Sequence, residues 1–451
     1  KCQLRHGDAD AAARTLAEAA EQFSESALGA EMAYDQAIAL LRSGRHEQAI
    51  GALEKFRSSF PEHNLTPDVL HLLAATEHQA GDYESSASYC AAFMRGFGAH
   101  DLATDVAFLS AENAFLDKDY PTAAKRYRAF LEQQPGDAQA GKARLRLGLA
   151  YYRQDQLDAA AEELAQVETL ADTQPMYRPA LLTLGDIFFV RSEWKRAEEY
   201  LSRYLSQVGH EDGGADVVFK IAYAQQRQGE LERALSGYER FVEDFPESPH
   251  RLQAVFEAGQ ILISLDRSDE ARAALERVVE DGGDQSRFAS HALNHLAALA
   301  AQAGDSSAAA GYYARAAGAS RESDASAEAQ LRQAQSLIAA GSFTEAERVL
   351  RELLRKHPTF AQAAQAQGEL GIVLARLDKH EEALETIASL ESRSDELSGG
   401  LQASLRYEKA WCLRKLGRED EAVGSYQELL RGEATGELAV HGLLEVAELQ
   451  M

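Results

Sequence analysis

A chain of 451 residues is too long for one compact core and by length alone would make about three domains. Alanine, leucine, glutamate, glutamine and arginine dominate it, and prolines number only 9, a composition that favours helix throughout. The formal net charge of -26 argues against nucleic acid or an anionic membrane surface as a general partner, since a phosphate backbone is bound by clustered cations.

In chain order, residues 8–23 read as a helix with Leu16, Ala19, Ala20 and Phe23 on its buried face, at the i, i+3, i+4, i+7 spacing. It is the second helix of a unit whose first helix would precede Lys1. The sequence therefore reads as opening, and after Ala447 as stopping, inside a repeat. From about Ala30 the pattern becomes regular. A turn such as Gly229-Glu230-Leu231-Glu232-Arg233-Ala234 joins two helices: the glycine breaks the first, and the small residue five positions on seats the second. Taking that residue as anchor gives Ala12, Ala49, Ser86, Ala123, Ala160, Ala197, Ala234, Ala271, Ala309, Ala346, Ala383 and Ala422. Nine of the eleven steps between them are 37 residues, one is 38 and one is 39. Twelve residues before successive anchors stand Ala37, Ala74, Ala111, Gly148, Gly185, Ala222, Gly259, Ala297, Ala334, Gly371 and Ala410, and Ala447 continues this second ladder. Such self-similarity predicts an all-α repeat array of about twelve hairpins, a single solenoid over residues 1–451 in which each hairpin completes the core of the next.

The small anchor residue lets the two helices of a hairpin approach closely. Large residues four and seven after the anchor, as in Tyr127 and Phe130 or Tyr238 and Phe241, form a ridge expected to fill the groove of the next hairpin. Pro61, Pro135, Pro246 and Pro358 each follow an anchor by twelve residues and should end the second helix, because the residue before a proline avoids the helical region. The two irregular steps are expected to be loop insertions near 280–286 and 391–400, the places where the array can bend.

No run approaches the ~18 apolar residues of a membrane span. No phosphate-binding glycine loop, dinucleotide fingerprint or serine nucleophile elbow appears. Of the three cysteines, Cys2, Cys90 and Cys412, an odd number precludes a complete disulfide framework, and Cys90 takes a core position. His291 and His295 share a helix face without an evident third ligand, so they read as ordinary helix histidines and not as a metal site. His71 and His78, seven apart, are expected on a common face. No cofactor is expected.

Leu147-Gly148-Leu149-Ala150-Tyr151 with Leu157 and Ala160, and Leu184-Gly185 with Phe188, Trp194 and Ala197, resemble the tetratricopeptide repeat across essentially the whole chain. The step is longer than the usual 34 residues. The turn glycine is replaced at Lys118, Asp155, Ser192 and Asp266, and Ser86 replaces an anchor alanine. The long step and endings such as Phe245-Pro246-Glu247-Ser248 are similar to bacterial envelope repeat proteins of outer-membrane assembly and the Tol-Pal coordinator, which implies a periplasmic or envelope setting. The resemblance implies a right-handed superhelix whose first helices line a groove for a protein or peptide partner, without catalysis.

Four residues after the small position lie Phe115, Tyr152 and Phe189, expected to stack as an aromatic stripe. Arg153 and Arg227 lie one position further, with Arg376 and Lys415 in equivalent places; Tyr223, Trp411 and Arg414 would join the same surface. Aromatic residues and arginine dominate binding energy at interfaces, whereas an aromatic stripe at helical spacing also serves as core. The expectation is a noncatalytic scaffold that binds a partner segment near residues 108–227. The alternatives are a helical spacer arm of a larger enzyme or machine, and self-association through uncapped terminal repeats.

Overall fold

Helix follows helix, and among the described residues there is no strand. The computed structural model describes residues 9–23, 27–171, 174–209, 214–431 and 437–449; Cys2 lies outside them. The chain divides into two compact units, Lys1–Gln228 and Gly229–Met451. The first contains α1 (Ala9–Gln22), α2 (Ala27–Arg42), α3 (His46–Ser59), α4 (Thr66–Ala80), α5 (Tyr83–Phe97), α6 (Ala103–Leu116) and α7 (Tyr120–Gln133). It continues with α8 (Ala140–Arg153), α9 (Leu157–Ala165), α10 (Glu168–Ala171), α11 (Arg178–Val190), α12 (Trp194–Val208) and α13 (Gly214–Arg227).

The second unit contains α14 (Leu231–Asp244), α15 (Arg251–Ser264), α16 (Ser268–Gly282), α17 (Ala289–Gln302), α18 (Ser306–Ala319) and α19 (Ser323–Ala339). After these come α20 (Phe343–Lys356), α21 (Ala363–Arg376), α22 (His380–Ala388), α23 (Gly399–Lys415), α24 (Glu419–Arg431) and α25 (Glu437–Leu449). Within each unit neighbouring helices pack on one another, and first helices also touch the first helices of adjacent repeats, as α6 does with α4 and α8. This is the all-α repeat solenoid that the ladders predict.

The turn inside the hairpin has one geometry whatever residue occupies it. Gly44, Gly81, Gly304, Gly341 and Gly417 have φ between 73° and 84°; Lys118, Asp155, Ser192, Asp266 and Asp378 have φ between 57° and 65°. A left-handed residue closes the first helix, and where glycine is replaced an L side chain accepts the strain. Asp82, Asp119 and Asp305 then cap the second helix, each accepting the backbone N–H three residues on.

Every described anchor is buried, from Ala12 at 2% to Ala422 at 0% exposure. The second ladder shows why it must be small. A Cβ at Gly148 would lie 2.6 Å from the Leu164 side chain, at Gly185 2.5 Å from Leu201, at Gly259 2.9 Å from Leu275 and at Gly371 3.0 Å from Ile387. Leu164 and Leu201 stand four residues after their anchors. This corrects the expectation that the residue four after the anchor fills the next hairpin, because it packs back into its own hairpin against the ladder residue.

The prolines act as predicted. Phe60, Gln134, Phe245 and His357, each before its proline, leave the helical region at φ -126° to -132° and ψ 56° to 61°. The irregular steps differ from expectation. Asp281 and Gly282 remain in α16. At 391–400 the chain forms 3-10 winding over Glu391–Glu396, interrupted where Arg393 leaves the helical region (φ -122°, ψ 22°), then extended Leu397 and Ser398 before α23, which reaches 17 residues. The chain absorbs the extra length as tighter winding and a longer helix. A regular step also conceals a break: α9 stops at Ala165 although the spacing stays at 37. At the ends, Phe23 is 49% exposed, contrary to its expected place on a buried face, because it follows the last residue of α1, Gln22, and the helical periodicity no longer places it. Ala447 is exposed, unlike its ladder counterparts.

Candidate interaction surface

The aromatic stripe takes a different form from the expected one. Phe115, Tyr152 and Phe189 are half-buried and make no ring contact with one another. Phe115 and Phe189 each turn across their own hairpin. Phe115 meets Tyr120 edge-on at 5.6 Å and Phe189 meets Trp194 at 5.4 Å; Tyr152, like Leu157, packs against the same core. The link between repeats comes three positions earlier in the helix, where Tyr223 lies 5.5 Å from Phe189 and 5.7 Å from Trp194. Phe189, Trp194 and Tyr223 thus form a triad on α11, α12 and α13, and the Arg227 guanidinium sits 5.6 Å over the Trp194 ring.

Charged groups bind the same first helices together. Glu112 on α6 is buried and receives the Tyr127 hydroxyl, Lys142 at 2.9 Å and Arg146 at 3.0 Å. Burial alone would raise its carboxyl; hydrogen bonds from Tyr127 and Lys142 and the charges of Arg146 and Lys142 outweigh it and hold the group below its ordinary range. Arg146 also lies 4.7 Å over Phe115. Two repeats on, Asp186 on α11 pairs with Lys220 on α13 at 2.6 Å. Both pairs join the residue after one ladder position to the residue two before the next. Tyr152 lies in reach of these charges, and its phenol is raised first by burial and then by Asp186.

Of the predicted residues, the first unit gathers Phe115, Tyr152, Phe189, Tyr223 and Arg227 along these contacts. Arg153 is exposed on the last turn of α8. In the second unit Arg376 pairs with the buried Glu408 at 2.6 Å, Trp411 carries Lys415 at 4.5 Å over its ring, and Arg414 reaches Glu445 and Glu448. Arg376 and Arg414 are thus tied up in links between adjacent first helices, while the Trp411–Lys415 contact lies within α23. Glu112, Arg146, Trp194 and Lys220 join these contacts from outside the set of residues expected at the surface. The signal for Trp194 lies across the turn, where a large residue five positions after the stripe residue faces it, as Tyr120 does Phe115.

The serine anchor has a purpose of its own. Ser86 Oγ donates to the Ala74 carbonyl at 2.6 Å and accepts from Asn113 Nδ2 at 2.8 Å, while Asn113 Oδ1 meets His78 Nδ1 at 2.6 Å. Asn113 is 1% exposed, so an alanine anchor would cost this buried amide a partner. Cys90 beside it and Cys412 are buried, and burial pushes their thiols to about 11 and about 12. His291 and His295 both lie against Phe256, and burial, then His291, lowers His295. Among the described residues no three His, Cys, Asp or Glu side chains converge as a metal site, and no helix is long and apolar enough to cross a membrane.

Stacked helix hairpins with a half-buried aromatic and cationic face define a class of helical-repeat interaction proteins. The chain belongs to the tetratricopeptide-repeat family, matching the Tetratricopeptide repeat over residues 3–64, 34–96, 117–175, 219–286, 256–325 and 331–396, and a second Tetratricopeptide repeat family over 404–431. Repeats of this family generally mediate protein–protein interaction, and their fold is typically noncatalytic. No curated protein matches the chain. Similar solved structures include a tetratricopeptide repeat protein from Parabacteroides merdae (15% identity, 60% of this chain and 98% of that one, TM-score 0.35). Another is the C-terminal part of a TPR repeat-containing protein from Cytophaga hutchinsonii (14% identity, 55% and 94%, TM-score 0.42). A third is Naa15/Naa10 bound to HypK-THB (14% identity, 98% and 77%, TM-score 0.39).

Proposed function

We propose that the protein is a noncatalytic scaffold that holds a segment of a partner protein on the first-helix face near residues 108–227. The observation that carries this reading is the triad of Phe189, Trp194 and Tyr223 under Arg227. Phe189 and Tyr223 remain half-buried where a residue needed only for the core would be enclosed, and aromatic rings beside arginine are the side chains that concentrate binding energy. The envelope setting belongs to the same proposal and rests on the 37-residue step and the Phe-Pro-Glu helix endings. Fractionation of cells expressing the native gene tests that part, and recovery in the cytoplasm would remove it. The acidity of the chain supports a protein partner over nucleic acid.

The scaffold itself is tested with the triple variant Tyr152→Ala, Phe189→Ala, Arg227→Ala. A partner recovered with the wild-type chain should be lost while circular dichroism keeps the helical signal. Loss of helix would assign these side chains to the core, and retained binding would move the partner site elsewhere.

A further inference from the structure

We infer that this face of the first unit receives an acidic, extended segment of the partner, which sets carboxylates against Arg153 and Arg227 and a large apolar side chain against Trp194 and Tyr223. The inference rests on the scaffold reading and adds the chemistry of the bound segment.

Charge is distributed unevenly in a chain whose formal net charge is -26. Helix α8 carries Lys142, Arg144, Arg146 and Arg153 and no acidic residue at all. The acids on neighbouring first helices leave this excess standing. Glu112 holds a single charge against two cations, Lys142 and Arg146, Arg144 reaches Glu163 on α9 at 3.6 Å, and Asp186 is occupied by Lys220, which leaves Arg153 unmatched. Some exposed arginines elsewhere are paired, as Arg267 is with Glu270, Arg332 with Glu328 and Arg418 with Glu421, and others such as Arg42 and Arg95 are not, among the described residues. Arg153 and Arg227 are exposed and make no ion pair among the described residues. A guanidinium lying over an indole keeps its N–H edge free for a bidentate carboxylate, and the stacked ring fixes its direction.

Cation and ring recur along the first helices: Arg146 covers Phe115, Tyr152 lies in reach of Asp186 and Lys220, and Tyr223 touches Phe189 and Trp194. An extended segment therefore meets cation and aromatic surface in alternation. A basic segment would set like charge against α8. Repulsion from the acidic remainder of the chain is screened beyond about 8 Å at physiological salt, so the local excess decides.

The test pans a random peptide library of about twelve residues, displayed on phage, against the full chain. Enriched peptides should be acidic and carry an aromatic or leucine residue. Measured by fluorescence anisotropy, their affinity should fall about tenfold or more in Arg153→Glu, Arg227→Glu. It should weaken with added salt and remain unchanged in Lys125→Glu on the exposed side of α7, all variants being checked for helical content. Enrichment of neutral or basic peptides that Trp194→Ala no longer binds would overturn the acidic segment and leave the scaffold reading intact. Acidic peptides indifferent to the double reversal would likewise overturn it. No enrichment at all would remove both.

Discussion

Lys118 and Ser192 hold φ at 65° and 60° in a turn that glycine fills in Gly44, Gly81 and Gly304. The left-handed conformation costs an L residue about 1–2 kcal/mol, partly offset by the larger entropy a glycine loses on folding. Lys118→Gly should therefore stabilise the chain by about 0.5–1 kcal/mol, read as a raised denaturation midpoint. The ladder glycines respond in the opposite sense. Gly185→Ala puts a methyl 2.5 Å from Leu201, and such overpacking costs about 1–3 kcal/mol; a midpoint equal to wild type would show that Leu201 moves aside without penalty. Both kinds of position recur in the sequence at fixed spacing, with glycine in several repeats. Their difference is not visible there, since one glycine is required by backbone dihedral and the other by a leucine across the hairpin.

At the scale of the helix, periodicity reveals what repeats and conceals what does not. The proline-terminated ends are legible because Pro61, Pro135, Pro246 and Pro358 act on a neighbouring residue through local sterics. The stop of α9 at Ala165 carries no such mark, and neither does the 3-10 turn at Glu391–Glu396. The aromatic stripe was legible as residue types, while its contacts were not: spacing gives the register along a helix, and Trp194 enters from the far side of the turn. The polar links between first helices supply a pH test. The Glu112 carboxyl is held below its unfolded value, so its contribution to stability is full above the ordinary carboxylate range and lost as pH falls through the depressed value. Thermal unfolding followed by circular dichroism should show Glu112→Gln less stable than wild type at neutral pH, with the gap closing on acidification. A gap independent of pH would assign the loss to packing alone.

Across the whole molecule, stability should be graded, because each repeat in such an array leans only on its neighbours. In the first unit the buried cluster runs without interruption from Phe108 to Tyr200, whereas at the end of the second unit Val440, Leu443 and Leu444 of α25 are more than half exposed. Hydrogen exchange read by mass spectrometry should find the slowest amides in α7, α8 and α11 and fast ones in α1 and α25. Protection of α25 equal to that of α8 would mean that another surface covers it.

The match of each ladder glycine to a leucine or isoleucine of the same hairpin makes the helix pair a cassette. Gene segments joined at the loops between pairs keep every glycine with the aliphatic side chain shaped for it, whereas a joint at the left-handed turn deals the two halves to strangers. Duplication and exchange between copies of this unit therefore have a natural reading frame of one pair, and chimaeras spliced in that frame should fold where those spliced half a unit out of step do not.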